Sequence, residues 1–190
     1  DTSAPASPDD HGTAGGSNNS SDLYRFEPDG TFTFLTAKTP LPDASGADSA
    51  YVAATADLET VVFESQKALH PDVAADGTKH IYVRQGDTIH LVSRDFANAP
   101  LAAGGAVGRT GSLNSGPSGR VLGMYPQAVS EDASRIYFVG NAGAANQLLL
   151  RKDALDPAEA ETVWVSRSEI NPGTGCAGVF VGANRDGSVA

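Results

Sequence analysis

The chain predicts an all-β fold, a partial β-propeller with two complete four-stranded antiparallel blades and two incomplete ones. Three observations lead there. One residue pattern returns at Tyr51, at Pro126 and at Phe180. Short runs rich in Val, Ile, Phe and Tyr alternate with turns bearing Gly, Asp and Pro along most of the chain. No segment has the length and apolar period of a long helix, and the best candidate, residues 154–160, is interrupted by Pro157.

Residues 1–21 are Ser, Gly, Pro, Asp and Asn without an apolar period, so they cannot offset the entropy of ordering and read as a flexible linker or tail. Asp9, Asp10 and His11 there read as a solvated charge run rather than metal ligands. Asn18 and Asn19 each head an N-x-Ser sequon, relevant only in a glycosylating host. Residues 22–190 form the propeller segment, with blade portions at about 22–36, 50–94, 121–167 and 178–190.

The first portion is a hairpin, Leu23-Tyr24-Arg25-Phe26 and Thr31-Phe32-Thr33-Phe34-Leu35-Thr36, around Pro28-Asp29-Gly30. The hairpin returns as Ile81 to Arg84 and Thr88 to Ser93 around Gln85-Gly86-Asp87, and again as Leu148 to Arg151 and Thr162 to Ser166. The closing triplets Phe-Leu-Thr, Leu-Val-Ser and Trp-Val-Ser match position for position. Ahead of the second and third hairpins stands an inner strand, a turn at Asp57 or Asp132, and a strand carrying Phe63 or Phe138; the inner strand and turn recur at Phe180 to Asp186. The inner strand of the third portion is expected at Pro126 to Ser130. Both faces of the Phe63 and Phe138 strands are apolar, as in a sheet covered on each side. The repeats are unevenly spaced, which breaks a solenoid but suits propeller blades with loop insertions. Residues 66–79 and 94–120 are the long insertions, and loops are where such a scaffold binds.

Charge narrows the partners. Thirteen Lys and Arg stand against 23 Asp and Glu, a net of −10 that repels phosphate backbones and anionic lipid. Neither nucleic-acid binding nor membrane insertion is expected. The single cysteine, Cys176, cannot form an internal disulfide or complete a zinc site and reads as a small packed residue.

The motifs that touch on chemistry read as structural. Gly173-Thr174-Gly175-Cys176-Ala177-Gly178 spells G-x-G-x-x-G, but Asn171-Pro172 precedes it and a strand follows, the reverse of a dinucleotide site. Asp72 to Gly77 opens like a calcium loop, yet Ala74 and Val83 stand at ligand positions three and twelve. No cofactor is predicted, and calcium elsewhere in the loops stays open. Ser130-x-Asp132 echoes an Asp-box turn without its Gly and Trp. There is no G-x-S-x-G elbow. His90 reads as a strand packing residue, and His70, Lys79 and His80 as solvated loop residues. Glu59, Glu64, Asp153, Asp156, Glu159 and Glu161 read as solvated carboxylates on loops and strand ends. No catalytic, cofactor or metal residue is assigned.

The turns Ser130-Glu131-Asp132-Ala133 and Asn184-Arg185-Asp186-Gly187, the strands opening Ile81-Tyr82 and Leu23-Tyr24, and the closing Leu-Thr and Val-Ser pairs resemble the TolB-like β-propeller repeat family. The likeness spans residues 22–190 apart from the long loops; Leu58 and Ala133 stand where the family turn has Gly. It implies an extracytoplasmic, secreted or cell-surface propeller and no particular chemistry. The expected function is a non-catalytic binding or scaffold module acting through its loops on a protein or glycan ligand, with further blades of a longer parent chain as partners. The alternative is the propeller domain of a peptidase or glycan-acting hydrolase whose catalytic residues lie outside this chain.

Overall fold

The computed structural model describes residues 23–36, 49–108, 127–143, 146–171, 178 and 180–190. The expected tail at 1–21, the two sequons, Pro126, Cys176 and residues 173–177 of the Gly-rich run lie outside them. The described residues form three antiparallel sheets and no helix. β1 (Tyr24–Phe26) pairs with β2 (Phe32–Phe34). The first four-stranded sheet orders β3 (Ser49–Ala54), β4 (Thr60–Ser65), β5 (His80–Gln85) and β6 (Thr88–Leu91). The second orders β7 (Gly105–Val107), β8 (Ile136–Gly140), β9 (Gln147–Lys152) and β10 (Glu161–Trp164).

The repeat extends to hydrogen bonds. In each of three turns a side chain opens the motif (Thr55, Ser130, Asn184), an aspartate follows two residues on, and the next residue is left-handed: Leu58 at φ 60°, Ala133 at 57°, Gly187 at 66°. The aspartate Oδ1 accepts the N–H two residues later, at 3.1 Å from Glu59 and Ser134 and 2.9 Å from Ser188. The opening side chain accepts an N–H five residues on, from Thr60 at 3.1 Å, Arg135 at 2.9 Å and Val189 at 3.1 Å. Short polar side chains that bond their own backbone are what make this turn. The departure from Gly at Leu58 and Ala133 leaves its conformation unchanged.

The closing triplets have a matching physical role. Thr36, Ser93 and Ser166 each accept, through the hydroxyl, an N–H near the start of the facing strand: Leu23 at 3.3 Å, Ile81 at 3.2 Å and Leu148 at 3.0 Å. Each hydroxyl ends a ladder without leaving its first donor unpaired.

The sheets stack face to face. Val61, Phe63, Tyr82 and Leu91 of the first sheet pack with Leu35 and Leu23 of the hairpin, while Val62, Ile81, Val83 and Val92 pack with Phe138, Val139 and Leu149 of the second. Phe63 and Phe138 have no exposed surface, as their two-sided apolar strands predict. Residues 180–190 lie on the far side: Phe180 meets Tyr137 at 5.2 Å between ring centroids, and the Tyr137 hydroxyl donates to the Gly187 carbonyl at 2.9 Å.

Four expectations change. The partner strand of β8 is Gly105–Val107, inside the segment read as a loop, and the Pro126 to Ser130 stretch contributes an isolated bridge, Val129 to Ile136. The physical reason is proximity of the sheets: a Cβ on Gly105 would lie 3.1 Å from Ile81 and 3.2 Å from Phe138, so small residues suit this seam. Residues 180–183 dock without forming a ladder. His80 is buried in β5, its Nδ1 2.9 Å from Ser93 Oγ, rather than solvated in a loop. Glu64 is also buried, 2% exposed, because it accepts the Val107 N–H at 2.9 Å and pairs with Lys79 at 3.3 Å.

Candidate functional site: the joined loop surface

The two insertions singled out by sequence meet. Residues 66–79 are anchored from below, where Leu69 and Val73 enter the core and the Tyr82 hydroxyl donates to the Lys67 carbonyl at 2.8 Å. Burial pushes the Tyr82 hydroxyl far above its ordinary range, so it stays a donor. Asp76 closes the end of the loop by accepting the Thr78 N–H at 2.8 Å, an Asx turn. His70 and Asp72 remain toward solvent.

Residues 94–100 form a tight excursion after β6. Asp95 Oδ1 accepts the N–H groups of Ala97 and Ala99, each at 2.9 Å, and Asn98 is left-handed at φ 63°. This local bonding turns Phe96 outward, 48% exposed, where it stacks on Trp164 of β10 with centroids 6.0 Å apart. Trp164 donates Nε1–H to Ser166 at 3.1 Å, which holds the lower ring. Arg94 Nη2 meets Asp72 Oδ2 at 2.6 Å and joins the two loops. The Arg94 contact holds the Asp72 carboxyl below its ordinary value.

Beneath lies Arg151 of β9. It donates to Thr162 Oγ1 at 3.0 Å and to Asn98 Oδ1 at 2.7 Å, while Arg94 donates to the Asn98 carbonyl at 2.6 Å. Thr162 in turn donates to the Arg94 carbonyl at 3.0 Å. These bonds close a ring between the 94–100 loop and the second sheet. They tie the loop surface to a rigid sheet, with a guanidinium, a carboxylate and an exposed aromatic ring carried on the same two loops.

The other candidates separate. His80 and Ser93 are the one close Ser–His pair in the described core, but Ser93 has no exposed surface and its hydroxyl is a strand cap. Thr36 and Ser166 do the same work with no histidine, so the pair is structural. His90 is half-buried on β6, and burial lowers its pKa. Glu161 pairs with Lys152 at 2.7 Å, and Asp156 caps its own turn by accepting the Ala158 N–H at 3.0 Å. Glu59, Asp153 and Glu159 are exposed. The described residues contain no group of three or more His, Cys, Asp or Glu able to hold a metal.

Sequence reasoning selected the loops but not Arg94, Phe96 or Asn98 within them, and placed Trp164 only as a strand residue of a closing triplet. A signal existed for Arg151, a cation closing the apolar run Leu148-Leu149-Leu150. No protein-family model, curated protein or solved structure matches the chain.

Proposed function

We propose that this chain is a TolB-like β-propeller segment of an exported or cell-surface protein, serving as a non-catalytic binding module for a protein or glycan ligand. The propeller reading is supported by three turns with the same hydrogen bonds, three hydroxyl caps with the same role, and four-stranded sheets stacked in chain order. The binding reading is carried by one observation: the 2.6 Å Asp72–Arg94 contact ties the two loops together at their solvent side, two residues from the exposed Phe96. Exposed aromatics next to fixed polar groups are the usual makings of a recognition site.

The test is direct display of the labelled chain on glycan and peptide arrays, beside Phe96→Ser. Retention of defined ligands by the parent chain and their loss in the variant is the expected result. Equal retention by both, with matching circular dichroism, overturns the assignment of this surface. The propeller arrangement is tested by a crystal structure, in which the two four-stranded sheets should radiate from a common axis; a closed two-sheet sandwich would end that reading.

A further inference from the structure

The two buried arginines at the same place in the repeat are served differently. Arg84 and Arg151 each stand three residues after the capped second residue of their strand, Ile81 or Leu148. Arg84 donates to the carbonyls of Gly86, Phe34 and Leu35 and faces the Asp87 carboxylate at 3.3 Å. Arg151, only 3% exposed, has two neutral side-chain acceptors, Thr162 and Asn98. The charge that acts on it is a second guanidinium, Arg94; burial and then Arg94 bring the Arg151 pKa down to about 10. A buried cation is ordinarily compensated by a carboxylate, and among the described residues none pairs with Arg151.

The nearest acid in this cluster is placed to leave. Asp72 reaches Arg94 from the solvent side with its side chain 49% exposed against 12% for Arg94, so the carboxylate is the partner that can return to water. Asp95 does not compete, because its carboxylate is turned into its own loop onto Ala97 and Ala99. Arg94 itself is held in place from behind by the Asn98 carbonyl. Phe96, two residues after Arg94, carries a half-open ring stacked on Trp164.

We propose that Arg94, backed by Arg151 and flanked by Phe96, binds a ligand carrying a carboxylate beside an aromatic or apolar group, and that Asp72 is the resident stopper which the ligand displaces. This rests on the binding-surface reading above and names its ligand class. A preorganised guanidinium favours a planar carboxylate through paired hydrogen bonds, and the ring supplies the apolar contact. The chain's net charge of −10 repels anions at long range, so recognition depends on these short contacts and not on steering.

Trp164 is the only tryptophan and lies under the site, so its fluorescence reports occupancy. The full chain is titrated with phenylacetate and with its neutral isostere phenylacetamide. Phenylacetate should give a saturable change and phenylacetamide a response at least tenfold weaker. Asp72→Asn should tighten phenylacetate binding severalfold by weakening the stopper, and Arg94→Gln, checked for folding by circular dichroism, should abolish it. Equal responses to the two probes, no response to phenylacetate, or unchanged affinity in Asp72→Asn overturns the proposal. If the carboxylate arm fails while Phe96→Ser still loses array ligands, the binding surface stands and only the ligand class falls.

Discussion

Glu64 on β4 accepts the backbone N–H of Val107 on β7 at 2.9 Å, so a buried carboxylate of one sheet completes the edge of the next. Its other oxygen meets Lys79 at 3.3 Å, and the Lys79 carbonyl accepts the Gly105 N–H at 3.2 Å. Contacts from the first sheet and its loop thus fix where the second begins.

Removing that carboxylate leaves the Val107 N–H buried without an acceptor. Glu64→Ala should cost about 1–3 kcal/mol or more, the penalty of an orphaned buried donor. Glu64→Gln keeps an acceptor and should recover most of the loss. Urea unfolding of the two variants measures the difference; equal midpoints would show that the contact contributes nothing.

Two glycines with similar backbone angles should respond differently to alanine. Around Gly30, at φ 86°, a Cβ would meet nothing within 4 Å, so Gly30→Ala should cost only the strain of a left-handed backbone, about 1–2 kcal/mol. At Gly104, φ 66°, the same atom would fall 1.9 Å from the Lys79 carbonyl oxygen. Gly104→Ala should therefore cost well beyond that figure and open the seam between sheets, read as a much lower denaturation midpoint and faster amide exchange in β7.

Leu58 holds a left-handed conformation at φ 60° and is 46% exposed. Leu58→Gly removes the steric penalty of about 1–2 kcal/mol and adds a backbone-entropy cost of about 0.5–1 kcal/mol. The net expectation is a stabilisation of up to about 1.5 kcal/mol, visible as a higher thermal midpoint. A lower midpoint would mean that the Leu58 side chain contributes more than its strain costs.

His80 is buried, and burial lowers its pKa; His90 is lowered for the same reason. The unfolded chain then binds protons that the folded chain refuses, starting near the ordinary histidine value of about 6.5. Stability should be level above about pH 7 and fall as pH drops toward about 5. Asp57, lowered first by its Thr55 hydrogen bond, and Asp186, lowered first by Ser188, act in a separate window, losing stability only as pH falls through the ordinary carboxylate range of about 4. His80→Gln should flatten the upper window, leaving the His90 share. Gln is a fitting replacement because buried Gln147 occupies the same repeat position before Leu148. Thermal melts of both proteins across about pH 5 to 8 carry the check, and parallel curves would remove His80 as the cause.

Most strands were legible because their causes are local. Positive φ at Gly30 and Gly86, alternation through Val61 to Phe63, and the Asp57, Asp132 and Asp186 turns are set by residues within a few positions of one another. The candidate surface was legible only as two loops. Its assembly depends on Arg94 meeting Asp72 and on Arg151 meeting Asn98, pairs far apart in sequence.

The amino-acid sequence by itself determined the repeat: side chains that bond their own backbone build the same corner three times, and strands apolar on both faces require cover on both. Tertiary structure decided which segment edges the second sheet, whether Glu64 and His80 are wet or buried, and which charges become neighbours. Those outcomes depend on the distance between sheets, where a missing Cβ at Gly105 admits close approach and a carboxylate replaces a strand as hydrogen-bond partner. Such distances are properties of packed surfaces, and no local run of residues encodes them.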